Sequence, residues 1–376
     1  MKYVQINAYS GGWADSIIFK KHRELVAAGD ESWVFWARGD REQDEHLQRI
    51  ASYPEVCLDA LQTRLDGKPG FHSKAITSRL LKKLDEIDPD VVHLHLLLGY
   101  YINVEMMFEW LSAHRCKVVW TLHDCWAFTG HCIHFTYVKC DQWRTGCACG
   151  AACPQKGTYP ETFAGDGAVR WSFEQKRRLF TMLPPERVQL ITPSQWLADL
   201  AKQSFLGKYD IKVVHNSINK NIFKPTPSDF RERFGLENRF VVLGVASKWS
   251  ERKGLADFVR LAKDLDSARF AVVVVGLSEK QITQVKGSAE QIVALPRTST
   301  PQELAAAYTA ADVFFNPTTE DNYPTVNLEA EACGTPVVTY DTGGCRETVK
   351  DGRSVVVGSY EDALNSFEMF GVSSDE

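Results

Sequence analysis

The chain has 376 residues, 44% hydrophobic and 24% charged, which is the composition of a soluble globular protein and a length on the order of two domains. Its 43 basic and 48 acidic residues leave a net charge of -5, which argues against a general nucleic-acid binder. No apolar run approaches the ~20 residues of a membrane span, and MKYVQINAYSGG lacks the charged-then-apolar pattern of a signal peptide, so a cytoplasmic protein is expected.

Short β-branched runs alternate with longer amphipathic segments from the start of the chain. YVQINA reads as a strand, residues Asp15 to Ala28 as a helix, and SWVFWA as a strand. A helix-like stretch carrying Lys74, Arg79, Lys82 and Lys83 follows, either a solvated face or a contact for anionic lipid head groups. DVVHLHLLLG, a helix near Val104 to His114, KVVWTLHD, QLITPS and IKVVHNS continue the alternation. Residues 216–230 lose periodicity and carry two prolines, marking a linker. RFVVLGVAS, FAVVVVGL, QIVALP, DVFFNPT and TPVVTYD are the strands of a second α/β unit. The pattern predicts two doubly wound parallel sheets, in domains 1–218 and 219–376, with ligands at the carboxyl ends of the strands.

Neither half has G-x-G-x-x-G after its first strand, nor a Walker G-x-x-x-x-G-K, so a dinucleotide oxidoreductase and a P-loop NTPase lose their main support. DPD at Asp88 to Asp90 and DLD at Asp264 match D-x-D formally. Asp88 to Asp90 precedes a strand instead of following one, and both read as turns rather than metal motifs.

Lys248 and Lys253 in KWSERKG follow a strand, spaced to straddle a diphosphate. In TTEDNYPTVNLEAEACGTPVV, residues 318–338, a helix starts near Pro324 or Thr325, and its free N–H groups at Thr325 and Val326 suit phosphate. Glu329, one turn inside, can accept ribose hydroxyls, and Asp321 in the loop can hold sugar hydroxyls; helix capping is the plainer role for these acids.

Cys132, Cys140, Cys147, Cys149 and Cys153 cluster in a loop spanning 124–165. Four thiolates around zinc would hold such a loop: Cys132, Cys140, Cys147 and Cys153, with Cys149 able to replace Cys147 and His131 or His134 as outside candidates. A site closed by four protein ligands is structural; buried free thiols are the alternative.

The strand, acidic loop, helix and CGTPVV strand, followed by TGGCRE, resemble the E-(seven residues)-E region of family 4 retaining glycosyltransferases of the GT-B fold. Asp321 stands where the first glutamate usually sits, and Glu320 is out of register by one residue. Gly11 and Gly12 are similar to the family's glycine loop, TLHD to its histidine position at His123, and VVHNSINKNIFKP to its linker motif, with Ser217 and Asn219 as departures. WTLHDCWAFTGHC, CDQWRTGC and CPQKGTYP resemble a subgroup that includes colanic acid and other exopolysaccharide glycosyltransferases.

The resemblance implies two Rossmann-like domains facing a cleft, the N-terminal one on the acceptor side and the C-terminal one binding a nucleotide-diphosphate sugar. It implies transfer to a hydroxyl of a glycan or lipid-linked oligosaccharide with retention and without a catalytic metal. Gly11, Gly12, Lys248, Lys253, Thr325 and Val326 would meet the diphosphate. Glu329 would hold the ribose, and Asp321 and His123 the sugar. Base contacts are expected near Pro296 and Arg297. A nucleotide-sugar epimerase of the same fold and an inactive zinc-stabilised scaffold are the competing readings. The family's long terminal helix is expected to be short or absent, since only Ser359 to Glu376 follow RSVVVG.

Overall fold

The computed structural model describes residues 1–12 and 15–372 and divides into two compact units, Met1–Asn216 and Ser217–Glu376. Among the described residues no helix is long and apolar enough to cross a membrane.

The N-terminal unit runs β1 (Lys2–Tyr9), α1 (Lys20–Ala27), β2 (Glu31–Arg38), β3 (Leu47–Arg49), α2 (Tyr53–Asp66), α3 (Lys74–Ile87) and β4 (Val91–Leu94). It continues with α4 (Val104–Ala113), β5 (Lys117–Thr121), α5 (Asp166–Phe180), β6 (Val188–Thr192), α6 (Gln195–Gln203) and β7 (Asp210–Val213). All seven strands are parallel, in the order β3-β2-β1-β4-β5-β6-β7. Burial on both faces explains the near-continuous apolar runs, with six consecutive buried residues in β1 and four in β4. The two polar residues inside β1 are satisfied: Gln5 Nε2 donates to the Ile18 carbonyl at 3.0 Å, and Asn7 Oδ1 accepts from the Leu96 amide at 3.2 Å. That bond to Leu96 lies just past β4, where the expected DVVHLHLLLG strand leaves the sheet after Leu94. The helix expected from Asp15 is instead a π-helical turn, Asp15–Phe19, leading into α1.

The C-terminal unit runs α7 (Phe230–Phe234), β8 (Phe240–Val245), α8 (Leu255–Asp264), β9 (Phe270–Val275), α9 (Glu279–Ser288), β10 (Val293–Leu295) and α10 (Pro301–Ala310). β11 (Val313–Asn316), α11 (Thr325–Ala332), β12 (Val337–Tyr340), β13 (Val355–Val357) and α12 (Tyr360–Val372) follow. Six parallel strands lie in the order β10-β9-β8-β11-β12-β13. The tail after RSVVVG is therefore a helix, and α12 buries Tyr360, Ala363 and Phe367 in this unit's own core. Residues 373–376 lie outside the described residues.

Strand order reverses between β1 and β4 in the first sheet and between β8 and β11 in the second, the two places where loops diverge and leave room for a ligand. Asp88 and Asp90 lie away from both, in the α3–β4 turn. Asp88 caps α3 in the left-handed region, and Asp90 Oδ2 accepts from the Lys2 amide at 2.7 Å.

Candidate functional site

In the C-terminal unit the loops leaving β8 and β11 are tied together. Lys253 Nζ donates to Asp321 Oδ2 at 2.5 Å, and Arg252 Nη1 lies 3.9 Å from the same oxygen. Arg252 also donates to the Glu320 carbonyl, and its own carbonyl accepts from the Thr319 amide at 2.9 Å. The loop after β12 closes on this pair. Gly344 N–H donates to the Asp321 carbonyl at 2.9 Å, and Gly343, at φ 57°, lies so close that a Cβ would sit 2.0 Å from that oxygen. Gly343 of the TGG segment is thus required by backbone contact with the acidic loop.

Three side chains turned inward by this arrangement differ in environment. Glu320 is fully buried, while Lys253 and Asp321 keep side-chain exposures of 21% and 19%. Asp321 is thus partly exposed beside two cations. Lys248 is exposed and apart from this knot. Of the expected lysine pair, Lys253 contacts the acidic loop, and Arg252 joins it there; the arginine was missed because SERKG spacing alone does not tell which cation turns inward.

α11 begins at Thr325 with Pro324 at its N-cap, a residue with no side chain that can cap. The first-turn amides of Thr325 and Val326 precede the helical hydrogen-bond ladder. Glu329 packs beneath, its Oε2 accepting from the buried Tyr308 hydroxyl at 3.2 Å. Burial pushes the Glu329 carboxyl up to about 6, partly offset by hydrogen bonds from Tyr308 and Thr325. Tyr308 carried no sequence signal. Pro296 and Arg297 line a surface cavity of this unit together with Phe230 and Glu303.

In the N-terminal unit, Gly11 and Gly12 follow β1, Gly12 at φ 64°, and a Cβ on either would meet nothing within 4 Å. His123 follows β5 and joins two histidines from β4 and its end. His95 Nδ1 and His123 Nε2 are 3.3 Å apart, and the His93, His95 and His123 rings stack with centroids 4.0 and 5.6 Å apart. Burial holds His93 and His123 down to about 3 and His95 well below its ordinary value, so all three are neutral at pH 7. His93 is satisfied by Tyr3 and Thr121, both at 2.8 Å, and acts as a packed residue. HLH alternation in β4 was the available signal for the stack.

The cysteine loop surrounds a buried core of Trp126, Phe128, Phe135 and Trp143. Cys132 and Cys147 are buried, Cys140 and Cys153 half-buried, and Cys149 exposed. Among the described residues no group of three His, Cys, Asp or Glu side chains is arranged to hold a metal ion, so the expected four-thiolate set is not preassembled. Burial raises the thiols of Cys132 and Cys147, the latter to about 12. Beside them Lys176 is wholly buried, donating to the Trp126 carbonyl at 2.7 Å and lying 4.1 Å from that ring's centroid.

Residues 18–221 match the description Glycosyltransferase Family 4, and residues 237–367 match Glycosyl transferases group 1. A putative colanic acid biosynthesis glycosyl transferase, WcaC of Escherichia coli, is 26% identical over 73% of this chain and 65% of its own length. A D-inositol 3-phosphate glycosyltransferase of Catenulispora acidiphila is 31% identical over 44% of each chain. The chain thus spans about two thirds or less of the curated relatives it matches. Sucrose-phosphate synthase from Thermosynechococcus elongatus has the same fold, with a TM-score of 0.67 at 14% identity over 98% of this chain and 89% of that one. HepE of Anabaena, in complex with UDP and glucose, gives 0.62 at 17% identity over 98% and 89%. Two Rossmann-like units of this kind are the GT-B fold, and with more than half its length matched by the family description the chain belongs to glycosyltransferase family 4.

Proposed function

We propose that the protein transfers a sugar, with retention, from a nucleotide-diphosphate sugar to a hydroxyl of a glycan or lipid-linked acceptor in bacterial exopolysaccharide, capsule or related glycan biosynthesis. The observation that carries the reading is the Lys253–Asp321 pair at the second sheet's switch point, beside the start of α11 and the half-buried Glu329 carboxyl. Lys253, with Lys248, Thr325 and Val326, meets the diphosphate, with Gly11 and Gly12 of the N-terminal loop approaching it. Glu329 takes the ribose hydroxyls. Asp321 orients the sugar, and neutral His123 donates or accepts one hydrogen bond to it. The chemistry asked of the chain is positioning and charge stabilisation of the leaving diphosphate, which its own cations supply without a catalytic metal. UDP is the first nucleotide to test because HepE was solved with UDP and glucose.

Two further parts belong to this reading. Zinc on Cys132, Cys140, Cys147 and Cys153 would brace the loop that begins beside His123, once the four thiols close in, and its anionic thiolates would balance the buried Lys176. Peripheral membrane contact fits α2, which exposes Leu58, Leu61 and Leu65 on one face, and adjoins the basic α3 through the Arg79–Glu55 ion pair at 2.6 Å. Incubation with labelled UDP-sugars, with and without a glycan acceptor, tests the whole. Transfer supports it, whereas a donor epimerised without acceptor favours the epimerase.

A further inference from the structure

Arg38 ends β2, in register with Tyr9 at the end of β1, on the carboxyl-end edge of the N-terminal sheet. Its guanidinium carbon lies 4.2 Å from the centroid of the Tyr9 ring and 5.8 Å from that of Tyr100. Tyr159, from the Cys-rich loop, meets Tyr100 edge-on at 5.8 Å. Within this aromatic cup, Arg38 Nε and Nη2 are enclosed and have no hydrogen-bond partner. Buried donors left unpaired are destabilising, and cation–π contact offsets only part of that cost.

The cup is also built against backbone preference. Tyr100 holds φ at 62°, a left-handed conformation that a bulky residue adopts only where its surroundings fix it. Gly99 before it lies so close to β1 that a Cβ would sit 2.5 Å from that of Ala8. Nε and Nη2 form one of the guanidinium edges that can grip two oxygens of a carboxylate or phosphate at once.

We propose that Arg38, with Tyr9, Tyr100 and Tyr159, is a subsite for an anionic group, a carboxylate or a phosphate, on the acceptor glycan. The inference rests on the transferase reading above and adds the acceptor's chemical class. Tyr9, 37% exposed, is the cover that an entering anion displaces, and the rings then pack against the sugar that carries it. The subsite lies wholly in the N-terminal unit, the one the reading above assigns to the acceptor.

Calorimetry of wild type, R38Q and R38K with octyl β-glucuronide, glucose 1-phosphate and octyl β-glucoside tests the proposal. Wild type is expected to bind one anionic probe at least about tenfold more tightly than the neutral glucoside, and the favoured probe tells carboxylate from phosphate. R38Q should lose that preference and R38K, which keeps charge without the fork, should keep part of it, both retaining nucleotide binding. Failure of wild type to prefer or bind an anionic probe overturns the proposal, as does a preference that survives R38Q. Loss of nucleotide binding in R38Q would place Arg38 on the donor and overturn it too. If R38Q does not fold, R38K decides, since an undiminished preference there excludes the fork. A wild type that binds no nucleotide would sink the transferase reading while leaving the anion preference measurable.

Discussion

Lys253 reaches from the loop after β8 to Asp321 in the loop after β11, and their 2.5 Å ion pair joins the two strands between which the second sheet reverses. A pair this enclosed loses more when halved than when removed whole, since the survivor is left as an uncompensated charge. Lys253→Met and Asp321→Asn are each expected to destabilise by roughly 2 kcal/mol, and the double variant by less than their sum. Sugar transfer should fall about a hundredfold or more in both singles and stay low in the double. Recovery of activity together with stability in the double variant would make the pair structural.

Glu329 gives a pH signature. Its carboxyl titrates near 6 in the folded chain against an ordinary 4.5, because burial disfavours the charge. A raised acid stabilises the fold fully below 4.5 and loses that contribution as pH rises through about 6. Ribose recognition runs the other way, since the ionised form accepts both hydroxyls. Nucleotide affinity should therefore weaken as pH falls through 6, by up to about tenfold per unit. In Glu329→Gln the profile should be flat and the melting temperature at pH 7 no lower than wild type. A wild-type affinity independent of pH from 5 to 8 would remove Glu329 from the ribose.

The parallel architecture and the acidic loop were legible in the sequence because buried parallel strands read as unbroken apolar runs and because a helix start after a strand is a local pattern. Arg252, Tyr308 and Arg38 were not legible. Their importance comes from contacts across the sheet: Arg252 with residues 318–321, Tyr308 with Glu329, Arg38 with Tyr100. The same holds for Lys248 and Lys253, alike in sequence, of which only the second turns into the knot.

The cysteine loop makes a metal prediction. Purified protein is expected to carry about one zinc per chain, and Cys132→Ser or Cys147→Ser should lose it and lower the melting temperature by several degrees. Lys176→Met should weaken zinc retention, because the buried ammonium balances thiolate charge. A metal-free preparation of full stability would leave these cysteines as buried thiols, the state in which Cys147 is held up near 12.

The exposed face of α2 makes a membrane prediction. Leu58, Leu61 and Leu65 are 56%, 55% and 62% exposed, so Leu58→Asp with Leu61→Asp should leave the melting temperature unchanged. Wild type should sediment with vesicles containing anionic lipid and the double variant should not. Equal sedimentation of both would remove α2 from any membrane contact.

Calorimetry, backed by thermal shift, of UDP, GDP, ADP and their common sugars against wild type and Glu329→Ala tests most directly whether the acids around α11 hold a nucleotide sugar. Binding of one nucleotide class by the wild type, with a raised melting temperature and loss of both effects in the variant, is the predicted result. No binding of any nucleotide to the wild type, or equal binding to the variant, would contradict it.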